Sequence, residues 1–174
     1  MNDVKRRGFR ATRGGLQLRI EPGERAVMRD LLAQLAAFVA PEEAPQTDDP
    51  LARLVGIAPQ AERPRDPALL RLLPDAYADD PAAAEDFRRF TEHGLREQKS
   101  ANARLAAATL QRGADGEAIR MSQQEGQAWL LALNDLRLAL AVRLGITDDQ
   151  DEGREPLYDW LTWLQATLVD ALMP

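Results

Sequence analysis

The 174-residue sequence contains no cysteine, and this absence removes several kinds of chemistry at once. Without thiols the chain forms no disulfide, offers no thiolate nucleophile, and cannot build a zinc–thiolate or iron–sulfur site. A thiol-based oxidant sensor is excluded for the same reason. The basic N-terminus also lacks the apolar segment and cleavage site of a secretory signal. We therefore expect a cytoplasmic protein.

Aromatic residues and long apolar runs are scarce as well. Aromatics make up 5% of the chain, so leucine and alanine must form most of the core. The apolar runs end well short of the ~20 residues that a transmembrane helix needs, so we expect no membrane-spanning segment. Neither the P-loop pattern nor the GxGxxG pattern of phosphate-binding loops occurs. The sequence therefore predicts no cofactor.

Candidates for catalysis or metal binding are few. His93 is the only histidine, and Glu97 one turn later is its nearest possible partner. A zinc site would need further ligands, so we interpret His93 as a surface or partly buried histidine. The acidic stretch Asp148–Asp159 has some of the spacing of an EF-hand loop, but Pro156 begins a helix inside it. We interpret that stretch as a solvated linker and predict neither a catalytic nor a metal site.

Charge is unevenly distributed along the chain. The formal net charge of −6 argues against non-specific DNA binding by the whole surface. The first nineteen residues nevertheless carry six basic side chains against Asp3 alone. Arg6, Arg7, Phe9 and Arg10 lie in this segment and are candidates for contact with phosphates or with an acidic protein surface. The alternative is a solvated tail followed by the polar face of a hairpin.

Patterning predicts a mostly α, single-domain helical bundle over residues 1–174. Residues 8–20 have the alternation of a β-hairpin, with Gly14-Gly15 at the turn. Five acid–proline dipeptides mark helix starts, because an acid complements the helix N-terminus and proline loses no needed N–H at the first helical position. The predicted helices are 22–40, 50–56, 67–73, 81–112, 122–145 and 156–173.

The stretch Trp129–Gly145 is apolar almost all the way round, which predicts the buried central helix of the bundle. Its polar exceptions are Asn134, Asp135, Arg137 and Arg143. One interpretation is a thin solvent seam with internal ion pairs, the other a polar groove that receives a ligand or a partner side chain.

The long helix 81–112 shows a second apolar pattern. We expect Phe87, Phe90, Gly94, Leu105 and Ala108 to point towards the core. A glycine inside a helix is unfavourable, so Gly94 predicts a close crossing of another helix or a slight bend.

Four segments together resemble a known family: DPLARLVG, DPALLRLLPDAYADDPAAAEDFRRFTE, WLLALNDLRLALAVRLG and YDWLTWLQATLVDAL. They are similar, in order and over nearly the whole chain, to actinobacterial oxidative-stress transcriptional regulators of the AosR type. The resemblance implies a regulator that acts with an alternative sigma factor or RNA polymerase and is commonly encoded beside the protease adaptor ClpS. The missing cysteines argue that this chain does not sense oxidants through thiols.

These observations favour a non-enzymatic, stress-related transcriptional regulator that works by protein–protein contact. The tentative partner-binding residues are Arg6, Arg7, Phe9, Arg10, Asn134, Asp135, Arg137 and Arg143. A helical adaptor in ClpS-linked proteolysis and a small-ligand-binding protein that uses the groove near Asn134 are the alternatives. A homodimer stays open, and direct DNA recognition is disfavoured because no helix-turn-helix pattern occurs.

Overall fold

The computed structural model describes residues 7–41, 48–54, 57, 62–146 and 155–173. Within them the chain forms a small antiparallel sheet and six helices, which confirms the mostly α fold with an N-terminal hairpin. The elements in order are β1 (Gly8–Thr12), β2 (Gly15–Arg19), α1 (Pro22–Val39), α2 (Pro50–Leu54), α3 (Pro67–Leu72), α4 (Pro81–Thr109), β3 (Ile119–Met121), α5 (Gln123–Leu144) and α6 (Pro156–Leu172). Residues 55–56 of the predicted helix 50–56 lie outside the described residues, as do Arg6 and 147–154 of the acidic stretch.

The helix boundaries follow from local chemistry. Each acid–proline dipeptide places its proline at the first position of a helix. Asp66 and Asp80 accept hydrogen bonds from backbone N–H groups of the first turns of α3 and α4. Ser122 and Glu125 form a reciprocal capping box at the start of α5, and Gly145 ends that helix with a left-handed φ of 69°.

Helix α5 is the centre of the bundle, as its composition predicts. It packs against α3, α4 and α6, and its side chains Trp129, Ala132 and Leu133 are completely buried. The indole N–H of Trp129 donates to Thr109 Oγ1 at 2.9 Å, so the one polar atom of that ring is satisfied inside the core. The ring of Phe9 meets Trp129 edge-on, with centroids 5.3 Å apart.

The sheet covers one end of the bundle. Strand β1 packs against α6, where the Phe9 N–H donates to Thr167 Oγ1 at 3.1 Å. Two glycines permit close packing of β2 against β3 and against α5. A Cβ on Gly15 would lie 2.4 Å from the Met121 carbonyl oxygen, and one on Gly126 would lie 2.1 Å from Leu16 Cδ1.

The inward face of α4 differs from the prediction. Phe87 and Phe90 are 45% and 58% exposed, while Gly94 and Ala108 also lie on the surface. A Cβ on Gly94 would meet nothing within 4 Å, so the predicted close crossing at this glycine is wrong. The buried residues of α4 are Ala84, Arg88, Arg96, Ser100, Ala103, Ala106 and Thr109.

Carboxylates within α4 and in the segment before it explain why α4 turns two arginines inward. Arg88 binds Asp75 at 2.5 Å and Glu92 at 2.6 Å, and Arg96 binds the same Glu92 at 2.7 Å. A buried guanidinium is tolerated when carboxylates satisfy it. Asp75 lies in the segment before α4, so this arrangement depends on a tertiary contact that helical periodicity does not report.

Candidate partner-binding surface

A row of polar side chains crosses the outer face of the three-stranded sheet. Arg10 on β1 is paired with Gln17 on β2, and Gln17 is paired with Arg120 on β3. Side chains alternate between the two faces of a strand, so these three project to the same side, and Arg19 joins them two residues after Gln17. We call Arg10, Gln17, Arg19 and Arg120 the basic sheet face.

The opposite side of the same sheet explains the orientation. It consists of apolar side chains that enter the core, namely Phe9, Leu16, Leu18, Ile119 and Met121. Because a one-residue register slip would bury the arginines and expose these side chains, the hydrophobic pattern fixes which face meets solvent. The basic face is therefore a direct consequence of the apolar alternation in β2 and β3.

The basic sheet face is positive on a protein whose net charge is −6. Arg10 and Arg120 are exposed, and Arg13 adds a further exposed cation at the hairpin turn. Across the described ranges, none of Arg10, Arg13, Arg19 and Arg120 forms an ion pair with a carboxylate. Such a surface attracts anionic groups and has cations available to bind them.

A shallow depression of about 650 Å³ adjoins this surface. It is lined by Gln17, Arg19, Arg112, Arg120 and Glu117, among others, so four polar or cationic side chains meet one carboxylate there. The depression widens the basic sheet face towards the turn that precedes β3.

Two arginines that are not on the sheet hold β3 in place. Arg25 of α1 donates to the carbonyl oxygens of Leu110 and Arg112, both at 2.7 Å, and so fixes the chain just after α4. Arg112 binds both carboxylate oxygens of Glu125, at 2.5 and 3.1 Å, and holds the pKa of that carboxyl below its ordinary value. The segment carrying Arg120 is thus anchored at both ends.

The predicted N-terminal residues separate into different roles. Arg7 forms an ion pair with Glu24 of α1, and Phe9 is 3% exposed and belongs to the core. Phe9 is therefore unavailable as an aromatic contact at the surface, because its ring fills space beside Trp129. Arg10 remains exposed on the sheet, and Arg6 lies outside the described residues.

The four polar residues of the stretch Trp129–Gly145 do not form one groove. Asp135 is 4% exposed and accepts from Lys99 of α4 at 2.7 Å. Burial raises the pKa of Asp135, and the bond from Lys99 opposes that shift. Arg143 binds Asp66 at 2.6 Å on the side of α3, and Asn134 is half-buried.

Arg137 points in a third direction, towards α6. It donates to Thr162 Oγ1 at 3.0 Å and to Gln165 Oε1 at 2.8 Å, and its guanidinium lies 5.3 Å from the ring centre of Tyr158. Asp135, Arg137 and Arg143 thus bind partners on α4, on α6 and at the cap of α3, respectively. This arrangement matches the internal-contact interpretation of the central helix, and the polar groove of the alternative is not formed by these residues.

His93, the remaining candidate, has ordinary surroundings. His93 lies 3.4 Å from Glu97 on the adjacent turn of α4, the pairing that the sequence suggests. Among the described residues no cluster of three or more histidine, aspartate or glutamate side chains has the geometry of a metal site. No helix in that part of the chain has the length and apolar character needed to span a bilayer.

The sequence analysis did not predict that Arg120 lies on the same sheet face as Arg10. The alternation of apolar and basic residues in Ile119–Arg120–Met121 is typical of a strand, and this was the available signal. Its pairing with β2 joins residues about a hundred positions apart, which neither charge nor periodicity specifies.

This chain is similar over most of its length to one protein family and to several named proteins. Residues 6–172 match the family model DUF2017, described as a domain of unknown function. The chain is 35% identical over 185 residues to proteins named "Oxidative stress regulator AosR" from Mycobacterium bovis and Mycobacterium tuberculosis, covering 93% of this chain and 85% of each relative. It is 37% identical to the "Putative oxidative stress regulator AosR" of Mycobacterium leprae, over 88% of this chain and 81% of the relative. No solved structure matches.

Proposed function

The chain belongs to the DUF2017 family, and from this premise we propose that it is a non-enzymatic, stress-related regulator in the cytoplasm. It acts on transcription by protein–protein contact, with an alternative sigma factor or RNA polymerase as the partner. The names of its relatives support the stress-related role, and the resemblance suggested by the sequence motifs supports the choice of partner.

The observation that supports a contact mechanism is the basic sheet face. Arg10 and Arg120 flank Gln17 in one cross-strand row, exposed and without carboxylate partners among the described residues. A fixed row of guanidinium groups suits an acidic protein surface, since each group binds a carboxylate in a bidentate fork.

Nucleic acid is a weaker candidate for this surface. Duplex binding at physiological salt requires several phosphate contacts, and the basic sheet face offers three arginines on a protein of net charge −6. The sheet also offers no exposed aromatic ring for base stacking, because Phe9 is buried. An acidic protein partner therefore fits the charge and the chemistry better.

A charge-reversal pair tests the proposal. Arg10→Glu with Arg120→Glu should reduce recovery of the partner on the tagged protein by about tenfold or more, since like charges replace complementary ones. Arg71→Glu with Arg104→Glu is the matched control, because both residues are exposed helix positions and the change in net charge is the same. Partners are identified and quantified by mass spectrometry from the native cells, with and without peroxide.

The outcomes separate the possible functions. Recovery of a sigma factor or RNA polymerase that is lost in the sheet variant and kept in the control variant supports the proposal. Equal recovery by both variants removes the basic sheet face from the mechanism. Recovery of ClpS or its protease without transcription components would instead favour the adaptor function.

A further inference from the structure

An apolar groove of about 600 Å³ lies between α1, α3, α5 and α6. Its floor contains Leu35, Leu136 and Leu161, each buried, and its walls contain Leu31, Phe38 and Leu140, each half-buried. We call it the α1–α5 groove. Its volume is that of a site which receives several side chains or a small ligand, and most of its surface is hydrocarbon.

The rim of this groove carries one ion pair. None of the lining residues is acidic, and Arg143 is the cation among them. Its guanidinium lies 5.8 Å from the ring centre of Phe38 and binds Asp66 Oδ2. Asp66 caps α3 through its other oxygen, Oδ1, so Arg143 is held at the rim in a defined position.

Helix α2 has an exposed apolar face that could fill this groove. Leu51 and Leu54 stand three residues apart on one face of this helix and are 66% and 82% exposed. None of the residues of α2 is buried. Asp49 precedes the helix and accepts a hydrogen bond from the Leu51 N–H at 2.9 Å.

Both connections to α2 begin at the groove itself. Phe38, near the end of α1, and Ala68, near the start of α3, line the groove. Leu51 follows Phe38 by thirteen residues, and Leu54 precedes Ala68 by fourteen. At ~3.3 Å per extended residue either connection can reach along the groove. A segment tethered on both sides also has a high effective concentration at the site.

We propose that the α1–α5 groove is the binding site for α2 of the same chain, with Leu51 and Leu54 seated on its apolar floor. The apolar lining of the groove and the side chains of Leu51 and Leu54 would then contact each other, and their burial from water favours the contact. The groove is then a surface that the chain itself covers. This inference does not depend on the proposed function.

The cysteine-free sequence allows a direct test by cross-linking the full-length protein. Gln34 is exposed and lines the groove, so Gln34→Cys with Leu54→Cys should form an intramolecular disulfide under mild oxidation. Gln98→Cys with Leu54→Cys is the control, because Gln98 is exposed on α4, which contributes no residue to the groove lining. Products are separated on non-reducing gels and mapped by mass spectrometry.

We expect the groove pair to cross-link about tenfold faster than the control pair. Adding Leu51→Ser to the groove pair should slow the reaction by about tenfold, because Leu51 is the leucine anchor that remains once Leu54 is replaced by cysteine. That substitution is at an exposed position, so the fold itself is not at risk. Equal rates for the two pairs would overturn the proposal, and so would a disulfide-linked dimer, which would assign the groove to a second copy.

Discussion

Lys99 Nζ donates to Asp135 Oδ1 across 2.7 Å, joining the middle of α4 to the centre of α5. Asp135 is 4% exposed, whereas the side chain of Lys99 is 18% exposed. The two ends of this ion pair therefore differ in how completely they have left water. Lys99 can recover solvent when its partner is removed, while Asp135 cannot.

That asymmetry predicts the effect of removing the lysine. Lys99→Met should lower the free energy of unfolding at pH 7 by about 3 kcal/mol, because it leaves a buried carboxylate without its cation. Adding Asp135→Leu to the same chain should restore most of the loss, since a leucine at that position has no charge to satisfy. Urea titrations of the two variants and the parent measure both changes. A double variant as unstable as Lys99→Met would contradict this account.

The raised pKa of Asp135 predicts a pH dependence with a definite sign. The folded state holds this proton to higher pH than the unfolded state, whose value is near 3.8. The stability that Asp135 contributes is therefore fully present below about pH 3.8 and is lost as pH rises through its folded-state pKa.

A matched variant isolates that dependence from the other acids. Asp135→Asn should gain stability relative to the parent as pH rises above about 3.8, because asparagine has no proton to lose. The carboxyls with lowered pKa, including Asp66, Asp75 and Glu125, are the same in both proteins and cancel in the difference. Unfolding free energies of the two proteins across the acid range give the answer, and a parallel pair of curves would exclude the assigned shift.

Two helical glycines should respond in opposite directions to the same change. Gly126→Ala should destabilise the fold by about 1–3 kcal/mol, since its Cβ would lie 2.1 Å from Leu16 Cδ1. Gly94→Ala should stabilise it by about 0.5–1 kcal/mol, because that Cβ meets nothing and alanine is the better helix former. Thermal unfolding of both variants gives the two signs. A destabilising effect of Gly94→Ala would contradict the open surroundings of this glycine.

The buried indole provides a test of core hydrogen bonding. Thr109→Val keeps the side-chain volume but removes the acceptor of the Trp129 N–H, and should cost about 1–3 kcal/mol. Thr109→Ser keeps the hydroxyl and should cost about 1 kcal/mol, for the lost methyl group. Chemical denaturation followed by tryptophan fluorescence compares them. If serine proved the more harmful of the two, packing and not the hydrogen bond would dominate at this position.

Local rules predicted most of the backbone. The acid–proline pairs mark the helix starts, the Ser122–Glu125 box begins α5, and the apolar content of Trp129–Gly145 identifies the central helix. These features depend on hydrogen bonds and burial within a few residues of the chain, so the sequence contains the information. The family resemblance read from the motifs also agrees with the DUF2017 match and with the similarity to AosR proteins.

The sequence did not predict which side chains contact each other in the tertiary structure. In α4 the phenylalanines were predicted to point towards the core, yet Phe87 and Phe90 are exposed, while Arg88 and Arg96 are buried with Asp75 and Glu92 as their ion-pair partners. Hydrophobic periodicity assigns every charge to the surface and has no means to recognise a partner that arrives from another segment. The same limitation applies to Asp135, Arg137 and Arg143. The sequence allowed them to share a polar groove, whereas in the fold each binds a different partner.

The sequence by itself determined the helical architecture, the absence of thiol chemistry and the excess of positive charge near the N-terminus. Only the tertiary structure decided how that charge is presented, by burying Phe9, engaging Arg7 with Glu24, and bringing Arg120 beside Gln17 and Arg10. The physical reason is range. Helix caps and turns form between neighbours in the chain, whereas a cross-strand row and a satisfied buried charge require segments that are distant in sequence to meet in space.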